Sequence, residues 1–224
     1  MAGVAQGSNQ HGNHSGNHRR LKDRADLFQR QDNTDDRAFY SFPRLVIHVD
    51  EQASGVLAGY LADRLPRGSD VLDLMSAWRS HMAEDHGLAS LTGLGMNETE
   101  LADNPALTSG LVHDLNKLPA LPFADRAFDA CLILFSLQYL LKPVDVMTDI
   151  ARVLRPGGML HVAYTNRLFP TKAVAVWRHS GDVERARLIA AYLDETGAYG
   201  EPEARRLVDG SAGGPLYVVS AAKA

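Results

Sequence analysis

The sequence predicts a doubly wound α/β domain on a mostly parallel, seven-stranded sheet that ends in an antiparallel hairpin. Three observations carry this. Short apolar runs alternate with stretches of helical periodicity from about residue 50 onward. The run from Phe128 to Ser136, apolar without a break from Ala130 to Phe135, reads as a central parallel strand covered on both faces. The chain closes on two strand-like runs, Ala204 to Val208 and Leu216 to Ala222, separated by the glycine-rich Asp209-Gly210-Ser211-Ala212-Gly213-Gly214. Alternation of this kind implies right-handed βαβ units, with any ligand beyond the carboxyl ends of the strands.

Taken in order, residues 1–36 are rich in Gly, Asn, Gln, His, Ser, Asp and Arg and poor in aliphatic residues, so a disordered polar tail is predicted there. The histidines His11, His14 and His18 of that tail lie on no predicted element, so no metal site is expected. Residues 37–224 form a single domain with an N-terminal cap. Asp50 caps a helix carrying Val56, Leu57, Tyr60, Leu61 and Leu65 at helical spacing, ended by Pro66 and Gly68. Strands follow at Val71–Leu74, Ser90–Leu94 and Leu111–His113; Asn97 caps the helix after the second, with Glu100 at the capping-box position. Val146, Ile150, Val153 and Leu154 form one helical stripe, which Arg155-Pro156-Gly157-Gly158 stops with a turn before a strand from Met159 to Tyr164. A helix over Asp182–Glu195 precedes the closing hairpin.

The chain has 224 residues, enough for one sizeable core, and its net charge of −4 gives no reason to expect a nucleic-acid partner. Its single cysteine, Cys131, sits inside an apolar run and reads as a buried small hydrophobe, which suits a reducing, cytoplasmic setting. No apolar stretch resembles a signal-peptide core or reaches the length of a membrane span, so no membrane partner is expected.

Read in order, Val71-Leu72-Asp73-Leu74, the strand ending near Gly95, His113-Asp114, Leu121-Pro122-Phe123 with Phe128-Asp129, and Arg152-Val153-Leu154-Arg155-Pro156-Gly157-Gly158 resemble the class I S-adenosylmethionine (SAM) dependent methyltransferases of small molecules, the type 11-like group. The resemblance spans about residues 70–165 and is most specific at Arg152–Gly158. It implies SAM as cofactor, S-adenosylhomocysteine as product, and a small-molecule acceptor. It also implies that Asp73 helps hold the cofactor's methionine end and that Asp114 meets the adenine amino group, with Leu115, Asn116 and Phe135 beside it. A carboxylate accepting from an exocyclic N–H is sound chemistry.

Two departures stand out. Where the family has alternating glycines after the first strand, so that backbone approaches the ligand closely, this chain has Met75-Ser76-Ala77-Trp78-Arg79. Where the family has a ribose-binding acid after the second strand, this chain has Gly95, followed by Met96 and Asn97. Ser76, Arg79 and Asn97 are expected to replace the lost contacts, Arg79 at the cofactor carboxylate, with Trp78 and Met75 as a wall. An acceptor proton that must leave calls for a base, and Tyr139, Tyr40, His81 (expected on a helix face just after the altered loop) and His48 are the groups the topology offers. Tyr40, Phe42, Gln138, Asn166 and Arg167 are expected to line the acceptor site. The narrowed pocket predicts a compact acceptor, such as a small thiol or other soft nucleophile. The alternative is a methyltransferase fold that no longer turns over and serves as a binding or regulatory module.

Overall fold

The computed structural model describes residues 20–45, 47, 49–83, 85–210 and 214–224. Seven strands, β1 Asp70–Leu74, β2 Ser90–Gly95, β3 Ser109–Val112, β4 Phe128–Leu134, β5 Leu154–Tyr164, β6 Glu203–Asp209 and β7 Pro215–Ala222, form one sheet in the order β3-β2-β1-β4-β5-β7-β6. The first five run parallel, and β7 lies antiparallel between β5 and β6. The predicted doubly wound sheet with its closing hairpin is what forms. Strand order reverses between β1 and β4, so the crevice at their carboxyl ends is where a ligand belongs.

Side chains alternate across each strand and divide the core in two. Leu72, Leu74, Leu94, Ile133 and Val162 face one layer, where α4 (Pro143–Val153) and α6 (Asp182–Thr196) pack. Val71, Leu91, Leu132, Ala163 and Val218 face the other, against Leu57 and Leu61 of α2 (Glu51–Arg64), both fully buried. Asp50 caps α2 as expected, its Oδ1 accepting from Ala53 N at 2.8 Å, and Pro143 opens α4 where its missing N–H costs nothing. Among the described residues no helix is long and apolar enough to cross a membrane.

Four expectations need correction. The segment 20–36 is not a loose tail. Phe28 is buried in the core beside Tyr192, and the carbonyls of Leu27 and Gln29 accept from Val176 N and Ala175 N. Arg30 grips Asp36 through two bonds of 2.7 and 3.1 Å, and the fully buried Lys172 reaches Asp32 and Asp36. A polar composition suggests solvation only until distant partners satisfy the charges; here they do. The part of the predicted tail holding His11, His14 and His18 lies outside the described residues.

The Arg155–Gly158 segment is not a detached turn, because β5 begins at Leu154 and runs through it with a shift of register against β4. Gly158 is required there: a Cβ would lie 2.9 Å from both Arg155 O and Asp129 O. Glu100 does not close a capping box. Asn97 caps α3 (Glu98–Ala102) through Glu100 N, but the Glu100 carboxylate turns away and accepts from Arg44 N at 2.6 Å.

The stretch between β1 and β2 contains no helix among its described residues, so His81 lies in irregular chain rather than on a helix face. Its physical reason is local. Ser76 and Ser80 both donate to Asp73 Oδ2 at 2.6 Å, Asn104 donates to Ala77 O and Ser80 Oγ, and Met75 and His81 take positive φ values of 59° and 51°. Serine hydroxyls bonding to a nearby side chain give the loop a competing set of bonds to those of a helix.

Candidate functional site

A cleft opens at the carboxyl ends of β1, β2, β3 and β4, with the N-terminal segment around α1 (Asp36–Phe39) as one wall. Its walls set carboxylates, amides and hydroxyls among apolar and aromatic side chains, the mixture a small-ligand site shows. Of the residues expected to hold a cofactor, Asp73, Met75, Ser76, Arg79, Gly95, Met96, Asn97, Asp114, Leu115, Asn116 and Phe135 line it, and Trp78 does not. Tyr139, His81 and Tyr40 line it too.

Asp73, at the end of β1, is wholly buried, and that burial pushes its carboxyl up to about 6 against the opposing pull of the Ser76 and Ser80 hydroxyls. Its Oδ2 is committed to the loop. Ser76 N also donates to Leu94 O at 2.8 Å, so the rebuilt loop lies across the end of β2. Gly95 follows from this: a Cβ there would stand 2.3 Å from Ser76 O, so no side chain of any kind fits where the ribose acid was expected. Asn97 is equally committed, its Oδ1 capping α3 and its Nδ2 donating to Tyr40 O at 2.8 Å.

Asp114 follows β3 and presents a different picture. Its Oδ1 accepts from Asn116 N at 3.0 Å and Lys117 N at 3.2 Å, which fixes the carboxylate plane. Its Oδ2 is buried without a hydrogen-bond donor among the described residues; the Lys117 ammonium stands 3.8 Å off. Asn116 holds the cleft together rather than offering its amide to a ligand, donating to Asp36 Oδ2 and Tyr139 O and accepting from Leu141 N. Burial works against the ionised form of Asp36, yet bonds from Arg30 and Asn116 hold its carboxyl below the usual carboxylate range.

Tyr139 closes a short 3-10 turn, Leu137–Tyr139, and its hydroxyl oxygen accepts from Phe169 N at 2.9 Å. Burial raises the pKa of both Tyr139 and Tyr40, so each is a neutral phenol that can donate a hydrogen bond. His81 is buried, its Nδ1 2.9 Å from Ser54 Oγ and its ring edge-on to Phe135. His48 lies outside the described residues.

Besides Trp78, four residues expected to line the acceptor site do not reach the cleft. Phe42 is 78% exposed, Asn166 and Arg167 are exposed beyond β5, and Gln138 is turned inward, donating to Phe135 O at 2.7 Å. Arg79 lines the cleft but stacks on the Trp78 ring at 3.7 Å and donates to Trp78 O. Cleft residues that the sequence did not mark as part of a site include Asp36, Arg44, Glu100, His113, Ser136 and Phe169. The aromatic segments beginning at Phe39 and Phe169 were the available signal for Arg44 and Phe169, since Tyr40, Arg44 and Phe169 all line the cleft.

Strand order, the reversed last strand and a cleft over the β1–β4 ends define the class: this is the fold of the class I SAM-dependent methyltransferases. Residues 76–162 match the family described as a methyltransferase domain, so the resemblance drawn from the sequence motifs is borne out. Demethylmenaquinone methyltransferase of Listeria monocytogenes is 32% identical over 106 residues, 43% of this chain and 45% of that protein. The enzyme of the same name from Mycobacterium sp. (strain KMS) is 41% identical over 73 residues, 29% of this chain and 32% of its own length. The chain thus spans less than half the length of these curated relatives. Among solved structures, a Pyrococcus horikoshii protein superposes with a TM-score of 0.58 at 15% identity, over 84% of this chain and 97% of that one. The 1,6-didemethyltoxoflavin-N1-methyltransferase of Burkholderia thailandensis, with S-adenosylhomocysteine bound, gives 0.56 at 17% identity, over 78% and 79%. At such identities the likeness is one of fold.

The residues present fit the cofactor. Asp114 offers an unused buried acceptor to an amino group, and Met75, Leu94, Leu115, Leu134 and Phe135 offer apolar walls to a purine. The ribose carboxylate has no counterpart on β2, and Asp73 Oδ2, Asn97 and Arg79 are already bonded within the protein.

Proposed function

We propose that the chain binds SAM in this cleft and transfers its methyl group to a small, planar, ring-bearing acceptor. The observation that carries the reading is Asp114, whose Oδ2 is buried on the cleft wall with no hydrogen bond from the described residues, the Lys117 ammonium standing 3.8 Å away. An unmet buried acceptor is costly unless a ligand supplies the donor. SAM supplies an activated methyl on a sulfonium, so the protein's work is to align a nucleophile and exclude water.

The chain's own residues suit that work. Tyr40, Tyr139 and Phe169 surround the mouth with flat apolar surface, Phe169 lying 5.9 Å from the Tyr139 ring and 5.5 Å from Phe39. Such walls select flat acceptors through stacking. As phenols, Tyr40 and Tyr139 orient an acceptor by donating hydrogen bonds; they do not remove its proton. His81, which lines the cleft, is the residue we assign to take it. A ring acceptor also accords with relatives named for demethylmenaquinone and didemethyltoxoflavin, whereas no comparison points to a thiol, and none favours a module without turnover. We further assign the protein to the cytoplasm, in keeping with its free, buried Cys131.

Calorimetry with S-adenosylhomocysteine, alongside methyl transfer from labelled SAM to a panel of hydroxylated aromatic rings, tests the proposal. Binding is expected in the wild type and should weaken by about 2 kcal/mol in Asp114→Ala, the size of a hydrogen bond to a charged group. Absence of both binding and transfer in the wild type would sink it.

A further inference from the structure

The structure assigns a second ligand-binding group in the cleft: we propose that Arg44 holds an anionic oxygen of the bound ligand against the Phe39 ring. This rests on the reading above that the cleft takes a cofactor and an acceptor.

Arg44 follows Pro43 on the N-terminal wall and lines the cleft. Its place is fixed at the backbone, where its N–H donates to the Glu100 carboxylate at 2.6 Å. Its guanidinium carbon lies 4.1 Å from the Phe39 ring centre and 5.6 Å from those of Tyr40 and Phe169, so the cation is held among three aromatic faces. Among the described residues no carboxylate approaches it within ion-pair distance, and its Nη1 is buried with no hydrogen-bond acceptor. A guanidinium presents a fork of N–H donors matched to a carboxylate or an ionised hydroxyl. One arm of that fork, shielded from water and unpaired in a ligand cleft, is a donor waiting for an oxygen.

Comparison with the other arginine of the cleft sharpens the assignment. Arg79 was expected to meet an anion, but it spends its Nη1 on the Trp78 carbonyl at 2.9 Å and approaches Asp103 O at 3.5 Å. Only Arg44 has a buried nitrogen without an acceptor among the described residues lining this cleft.

The anionic oxygen can come from two sources, the cofactor's carboxylate or an ionised hydroxyl on the acceptor ring. Binding of S-adenosylhomocysteine, of 5′-methylthioadenosine, which lacks the carboxylate, and of 4-nitrophenolate separates them in the wild type and in Arg44→Met and Arg44→Lys. Methionine keeps the apolar stem and loses the fork; lysine keeps the charge, and thermal melting checks that both fold. If Arg44 meets the cofactor carboxylate, Arg44→Met should weaken S-adenosylhomocysteine at least about tenfold, a charged hydrogen bond's worth, and leave 5′-methylthioadenosine unchanged. If it meets the acceptor, S-adenosylhomocysteine stays unchanged while 4-nitrophenolate weakens by a similar factor, and its absorbance in the complex moves toward the neutral phenol. Arg44→Lys should fall between. Unchanged binding of all probes in a folded Arg44→Met overturns the assignment. A wild type that binds no S-adenosylhomocysteine removes the cofactor reading instead, and the 4-nitrophenolate measurement then decides Arg44 alone.

Discussion

Two ends of one cleft are built on opposite principles. At the end of β3, Asp114 keeps the place and the free acceptor that the methyltransferase resemblance implies, with Asn116 tying the surrounding loops together. At the ends of β1 and β2, the polar groups are spent on one another: Asp73 on Ser76 and Ser80, Asn97 on α3 and Tyr40, Ser76 N on Leu94 O. One end is open to a ligand, and the other is closed on itself. The difference teaches that retaining a motif's residue type says little about its availability; what matters is whether its lone pairs and protons already have partners.

The sharpest way to break this contrast is to put back the missing acid. Gly95→Asp places a Cβ against the Ser76 carbonyl, a backbone atom that cannot swing aside, and should cost about 3 kcal/mol of stability. A melting temperature equal to the wild type's would mean that the loop yields easily and that the two ends differ less than they look.

Next in size is the pH behaviour of Asp73. Burial lifts its carboxyl from the ordinary 3.8 to about 6, so the folded chain binds a proton more tightly than the unfolded chain. The favourable contribution is complete below the unfolded value and is lost as pH rises through about 6, some 2 to 3 kcal/mol in all. Asp73→Asn cannot ionise, so its stability relative to the wild type should climb between pH 4 and pH 7 in denaturant titrations. A constant difference across that range would show that Asp73 is better solvated than its burial implies.

The smallest effect belongs to Arg79. With its guanidinium stacked on Trp78 and bonded to a backbone carbonyl, Arg79→Met should change S-adenosylhomocysteine affinity by about twofold or less. A tenfold loss in calorimetry would reopen this end of the cleft to the ligand.

Much of the fold was legible in the sequence because periodicity and turn residues report on local geometry. All seven strands, the Asp50 and Asn97 caps and the closing hairpin follow from them. What escaped was set by distant partners. Nothing local in residues 20–36 shows that Arg30 will meet Tyr139 O and Asp36, or that Phe28 will join the core. For the site, strand ends were readable, which is why Asp73, Gly95, Asp114 and Phe135 fall on the cleft. The orientation of Gln138, Phe42, Asn166 and Trp78 was not, because spacing locates a residue on an element but does not say which neighbour its side chain prefers.

The carbonyl of Ser76 lying over Gly95 also bears on how such a chain can change with time. Substitution at position 95 alone meets a clash, whereas loosening the loop first, at Ser76 or Ser80, removes bonds from a buried carboxylate. Each single step toward the arrangement the resemblance implies is therefore expected to lower stability. The altered loop and the missing acid are thus sterically coupled, and a variant that restores an acid at position 95 should be made together with a change in the loop at Ser76.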